Sequence, residues 1–240
     1  MTKNILKIIA VFLIGAVGGI FADQILWPYF IERPLFLKYR LEQPPIQITE
    51  IKEITVSQES ALKDAVEKVG KTIVGIRTKL KNGKTLEGSG LIVSSDGLVV
   101  TFADLIPTNS NTLLFWEGES PSFQVLKRDP KENLALLKIN RTNLPTAGFA
   151  DFSKLRLGEK VFLAAMVFEK AGERPRKIVN DGIIKAIDSA SVKTNIAEKA
   201  NIKASPLFNI SAEAVGLNMI DSEGKVITIP IEKIRAFIGL

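Results

Sequence analysis

The sequence predicts an all-β fold built from two small antiparallel barrels of about six strands each. Three observations lead there. Short apolar runs of strand length, bounded by turn residues, fall into two sets. Asn82-Gly83 and Asp96-Gly97 are dipeptides whose left-handed backbone tolerance suits tight hairpins. A turn-rich stretch from Asn143 to Gly158 separates the sets. With 240 residues, 46% hydrophobic and 24% charged, the chain has a globular composition and can bury a useful core.

Taken in order, Lys3 and Lys7 precede an uncharged run from Ile8 to Ala22, 15 residues long. Ile5 and Leu6 extend it behind Lys7, whose stem can snorkel toward headgroups. Beyond Asp23 the chain is apolar again, with Trp27 and Tyr29 where an aromatic belt would lie and Pro28 expected to end the helix. Residues 1–30 therefore read as a membrane anchor. The rival reading is a signal peptide cleaved after Ala22, for which Ile20 is a large residue at a small-residue place. In both readings the lysines stay inside, so the remainder lies outside the cytoplasm, in a periplasm or at a cell surface. Gly15 and Gly19 form a G-x-x-x-G pair, a pattern that arises easily in a glycine-tolerant segment.

Residues 31–60, with Pro34, Pro44 and Pro45, read as a linker or arm, its apolar part being Ile31–Leu41. The domain follows over 61–240. Leu62, Ala65, Val66 and Val69 recur at helical spacing, with Ser60 as the expected N-cap and Gly70 as the stop. Strands are expected at 72–78, 85–93, 98–101, 112–116, 123–127 and 134–139, making barrel one about 72–140. A second set at 160–167, 178–187, 192–196, 214–220 and 226–229 makes barrel two about 160–230, with Ser222-Glu223-Gly224 as its last turn. Residues 230–238 return to helical spacing.

Composition excludes much chemistry. There is no cysteine and no histidine, which removes disulfides, thiolate or imidazole metal sites, a thiol nucleophile and any histidine acid/base. The net charge of +6 lies entirely beyond residue 60, because residues 1–60 hold six basic and six acidic side chains. Its clusters (Lys79, Lys81, Lys84; Lys127, Arg128; Lys170, Arg174, Arg176, Lys177) have acidic neighbours and no interleaved aromatics. They read as solvated surface, not a nucleic-acid groove. Asp129, Glu132 and Asp151 are a weaker thought for a cation; no dense Asp/Asn loop accompanies them, and no cofactor is expected.

Gly88-Ser89-Gly90-Leu91-Ile92-Val93 runs on through Thr101, and Asn133-Leu134-Ala135-Leu136-Leu137-Lys138-Ile139 forms a second block. On these blocks residues 65–234 resemble the trypsin-like serine protease domain of the HtrA (Deg) type, whose "GSGfIis.dGyivT" and "DLAvLKI" segments they match. Phe152–Val161, Gly182-Ile183-Ile184, Ala214 through Asn218 and Ile229-Pro230-Ile231 follow in the family's order and spacing. The resemblance implies two six-stranded barrels with a cleft between them. It also implies a PDZ module after the domain in many members, for which no room remains before Leu240.

The departures from the family bear on function. The histidine place, three residues after Thr101, holds Asp104. The aspartate place holds Asn133, and the serine nucleophile's place falls on Lys203, followed by Ala204 and Ser205 where the family has glycines. Carboxylates are weak bases for a hydroxyl, and Asn133 cannot stabilise an imidazolium. The former oxyanion-hole region, Asn201, Ile202 and Lys203, lacks small flexible surroundings. The expectation is a membrane-anchored pseudoprotease, catalytically inactive, with no catalytic residues and a protein or peptide partner. A homo-oligomer remains open, as does a structural subunit of an envelope complex. A divergent endopeptidase pairing Ser205 with Lys203 is the catalytic alternative, whereas Asp104 and Lys203 as opposite charges would form a plain salt bridge.

Overall fold

The computed structural model describes residues 2–31, 58–169, 173–221 and 224–239. The arm Ile31–Leu41 and its linker lie outside these, apart from Ile31 and 58–60, as do Lys170 and the turn residues Ser222 and Glu223. The chain divides into two compact units, Met1–Thr55 and Val56–Leu240.

In the first unit, helix α1 (Thr2–Phe21) runs on as a π-type winding over Ala22–Ile31. The apolar span Lys3–Ile25 covers 23 residues at mean hydropathy 2.5, and among the described residues nothing packs over it. That is long and apolar enough to cross a membrane. The expectation that Pro28 ends the helix is corrected: the winding continues to Ile31. A proline removes one N–H, and the change to wider turns from Ala22 accommodates such a missing bond.

The second unit has an all-β core. Helix α2 (Gln58–Val69) opens it; Ser60 lies in its first turn, not at the cap. Six strands follow: β1 (Ile73–Lys79), β2 (Thr85–Ile92), β3 (Leu98–Phe102), β4 (Asn111–Phe115), β5 (Phe123–Asp129) and β6 (Leu134–Ile139). Their order is β4-β1-β2-β3-β6-β5. Among the described residues β4 and β5 do not pair, so this sheet is a half-barrel.

Strands β7 (Gly148–Phe149), β8 (Lys160–Val167), β9 (Arg176–Ile187), β10 (Val192–Ala197), β11 (Pro206–Asn209), β12 (Glu213–Ile220) and β13 (Lys225–Pro230) form the other sheet. Six of these close on themselves through a β11–β12 pairing, and β7 adds to β12 in parallel. Sequence reading missed β7 and β11. Two and four residues are too few to set up a period, and Pro206 masks the start of the second. Helix α3 (Ile231–Ile238) ends at Gly239, which takes the left-handed geometry of a C-terminal stop.

Two cores result. One, large, joins the half-barrel's Ile76, Leu91, Phe102 and Leu137 to Phe162, Phe208, Leu217 and α3's Ile234 and Phe237. The other fills the closed barrel with Val161, Leu163, Ile184, Val192, Leu207, Val215 and Val226. Lys127 and Arg128, read from the sequence as solvated surface, are instead committed within the fold. Lys127 Nζ donates to the Phe237 carbonyl at 2.7 Å, and Arg128 Nε donates to the carbonyls of Ala103 and Ile106.

Candidate functional site

The site is assembled from three corners. The first is the 3-10 turn Ala103–Leu105 that follows β3 and carries Asp104. Its backbone is held on every side. Asn133 accepts the Ala103 N–H on its carbonyl (3.0 Å) and the Asp104 N–H on its Oδ1 (3.0 Å). Arg128 takes the Ala103 carbonyl, and Thr78 Oγ1 donates to the Leu105 carbonyl at 2.6 Å.

The second corner is Asn133 itself, left-handed at φ 54°, a geometry asparagine tolerates better than most residues. It opens β6, whose Leu134 pairs with Phe102 of β3. This pairing sets Asn133 beside the turn it binds.

The third corner is a tight turn closed by the Ser205 N–H on the Ile202 carbonyl at 2.9 Å, with Lys203 and Ala204 at its tip. Ala204 sits at φ 56°, where a side chain costs about 1–2 kcal/mol relative to glycine. The turn is fixed from β12, since the Ala204 N–H donates to the Asn218 carbonyl and the Asn218 N–H to the Ser205 carbonyl. It is fixed from β2 as well. The Ser89 N–H donates to the Lys203 carbonyl at 2.8 Å, and a Cβ on Gly88 would lie 2.7 Å from that oxygen. Gly88 is thus the close approach that lets the two sheets meet here.

Asp104, Asn133, Asn201 and Lys203, with Met219 and Ile220, line one cleft of about 220 Å³. Lys203 Nζ forms a salt bridge with Asp104 Oδ2, both side chains being more than a third exposed. The Lys203 N–H is directed at Asn201 Oδ1 (3.3 Å), while Asn201 Nδ2 donates to the Glu87 carbonyl at 2.8 Å. Ile202 points away into the closed barrel's core and is fully buried. Ser205 is also fully buried, where its Oγ accepts from Asn218 Nδ2 (3.1 Å); Asn218 Oδ1 in turn accepts from Thr228 Oγ1. The loop leading to Lys203 is ordered by Glu198. Its carboxyl is held below the usual range chiefly by the Ala200 N–H, with the Asn180 amide and the Lys199 N–H adding to it.

The three weaker candidates do not come together. Asp129 Oδ1 accepts the N–H groups of Lys131 and Glu132, and Asp151 binds Ser153 and Lys154. Among the described residues no group of three metal-capable side chains occurs. Sequence reasoning missed Gly88, Arg128, Met219 and Ile220. Gly88 opens a block whose glycine spacing was visible, and Met219 and Ile220 directly follow the Gly216-Leu217-Asn218 run.

Residues 88–227, more than half of the chain, match the family described as "Trypsin-like peptidase domain". Over 140 residues the chain is 30% identical to the "Probable periplasmic serine endoprotease DegP-like" of Pseudomonas putida (strain W619), covering 55% of this chain and 28% of that protein. Over 193 residues it is 28% identical to "Serine protease HTRA1" of Xenopus laevis, covering 73% of this chain and 42% of that protein. The chain thus spans less than half the length of these curated relatives.

Proposed function

We propose, from the premise that this chain belongs to the trypsin-like peptidase domain family and carries an HtrA-type domain, that it is a hydrolytically silent member. It binds an extended protein segment outside the cytoplasm and is held at a membrane by its N-terminal apolar helix. The observation that carries the reading is the Lys203 corner. Its amine is engaged as a cation by Asp104, and its N–H is turned to Asn201 Oδ1. Acyl transfer needs a nucleophile, a base that can take its proton, and N–H groups aimed at the developing oxyanion. None of these stands at this corner, and the 240 residues hold no histidine or cysteine to supply one from elsewhere. A Ser205–Lys203 pair finds no support: the serine is sealed beneath Asn218, and the lysine reaches the opposite wall.

Binding needs less than catalysis. β11 pairs with β12 only as far as Leu217, after which Ala204 and Ser205 take the backbone of Asn218. In an antiparallel strand the next backbone pair facing that side is at Ile220, which also lines the cleft. An extended segment can add there as a strand, with Met219 and Ile220 as apolar contacts.

The test uses the intact protein with unfolded casein. Binding without fragments is expected, together with no labelling by fluorophosphonates and weaker binding on Ile220→Lys. Cleavage or labelling that disappears on Lys203→Ala would overturn the reading. Protease added to intact spheroplasts should digest the domain; digestion only after lysis would reverse the orientation.

A further inference from the structure

We infer that the Asn201 side chain is a displaceable latch over the cleft. In the free protein its amide fills two main-chain positions, and a docked segment takes them over when it binds. The inference rests on the reading of the cleft as a site for an extended protein segment, and adds how access to that site is regulated.

Asn201 is exposed and lines the cleft two residues before Lys203. Its side chain is bonded to both sheets at once. Nδ2 donates to the Glu87 carbonyl in β2 of the half-barrel at 2.8 Å. Oδ1 accepts the N–H of Lys203, in the turn that leads into β11 of the closed barrel, at 3.3 Å. An amide that gives one N–H and takes another on its oxygen presents what a peptide group presents.

Strand register is what leaves the Glu87 carbonyl open to such a partner. The Leu80 N–H donates to the Lys84 carbonyl at 2.9 Å where the β1–β2 hairpin closes. Hydrogen-bonded pairs recur at every second residue of an antiparallel ladder. Thr78 and Leu86 therefore bond across, as do Ile76 and Gly88, while Thr85, Glu87 and Ser89 turn their backbone groups away from β1. On that side β3 pairs with β2 only at Leu91 and Ile92. Ser89 is met there by the Lys203 carbonyl and by Thr101 Oγ1. At Glu87, among the described residues, no strand pairs with this edge, and the Asn201 amide stands in for one.

The stand-in is easily released. Two rotations about side-chain bonds carry the amide out, and water can serve both freed groups at this exposed place. A main chain lying in the cleft brings a carbonyl for the Lys203 N–H and an N–H for the Glu87 carbonyl, so the exchange loses no hydrogen bond. The apparent affinity for the segment is then the intrinsic one reduced by the fraction of molecules whose latch is open.

The full chain in neutral detergent, unaltered and as Asn201→Ala, is titrated with fluorescently labelled unfolded casein. The variant is expected to bind about threefold to tenfold more tightly, the ratio that one or two weak hydrogen bonds in competition would set. A second measurement uses the unaltered protein with 15N in its asparagine side chains, the Asn201 signal being identified by its absence from Asn201→Asp. That signal should leave its bonded position as casein saturates the cleft, whereas an asparagine that only braces the turn would keep it. Equal or weaker binding by a folded Asn201→Ala protein, or an Asn201 signal unmoved at saturation, would overturn the latch and leave the binding reading standing. Absence of casein binding by both proteins would overturn the binding reading and the latch with it.

Discussion

The two sheets have nearly the same strand count but different self-sufficiency. The closed barrel ends its hydrogen bonding by pairing β11 with β12 and keeps a core of its own. The half-barrel leaves β4 and β5 apart, and its core continues through Phe162, Phe208 and Leu217 into strands of its neighbour and into α3. Closure removes edges and lets a sheet stand alone; an open sheet must borrow its lid. Asp104 and Asn133 belong to the dependent sheet. Lys203 stands between the cores, since Ile202 on one side packs into the closed barrel and Ala204 on the other into the shared cluster. The cleft therefore reports on the junction.

This contrast can be broken most forcefully at Phe208. Phe208→Ala should cost about 3–5 kcal/mol. Although the residue lies in β11, amide-exchange protection should fall across β1–β6 as well as β8–β13. Leu163→Ala, within the private core, should cost about 2–5 kcal/mol with the loss concentrated in β8–β13. If Phe208→Ala spares β1–β6, the cores are separate after all.

A smaller effect is expected at Gly88. A methyl there meets Leu105 Cδ1 at 2.5 Å and the Lys203 carbonyl at 2.7 Å. Gly88→Ala should destabilise by about 1–3 kcal/mol and speed exchange of the Ser89 amide, which is bonded to that carbonyl. Unchanged Ser89 exchange would mean the sheets are not clamped at this point.

The smallest effect belongs to the ion pair. Because 37% of the Lys203 side chain and 46% of the Asp104 side chain are exposed, solvent screens the attraction. A double-mutant cycle with Lys203→Met and Asp104→Asn should give coupling of no more than about 1 kcal/mol. Coupling of about 3 kcal/mol would show a cleft far drier than its geometry.

Most of this architecture was legible because strands longer than five residues carry their own period. β6 and β8 match their expected bounds residue for residue, β1 is shifted by one residue at both ends, and β2 stops one residue early. The closing element was not legible, since Pro206–Asn209 is fully buried on both faces or nearly so and shows no alternation. The turn chemistry around Lys203 was half legible. The loss of glycine at 204 was readable, but not that Ala204 would hold a left-handed angle, which two hydrogen bonds to β12 impose over local preference. Nor could spacing reveal that Asn201 would turn its own amide onto the Lys203 N–H. The register slips of β10 against β9 and β13 were not legible either, since a slip leaves no trace in composition.

The open seam of the half-barrel has a consequence for crowded solutions. Among the described residues β5 has an unpaired outer edge, and Val125 and Leu126 there are about half exposed. Its ladder, however, shifts register between Val125 and Lys127, so Leu126 is an extra residue that breaks the edge into two runs of three. A second copy meeting that edge finds no continuous template to extend. Replacing the bulge by regular pairing would straighten the strand and turn a tolerant surface into a seed for fibres.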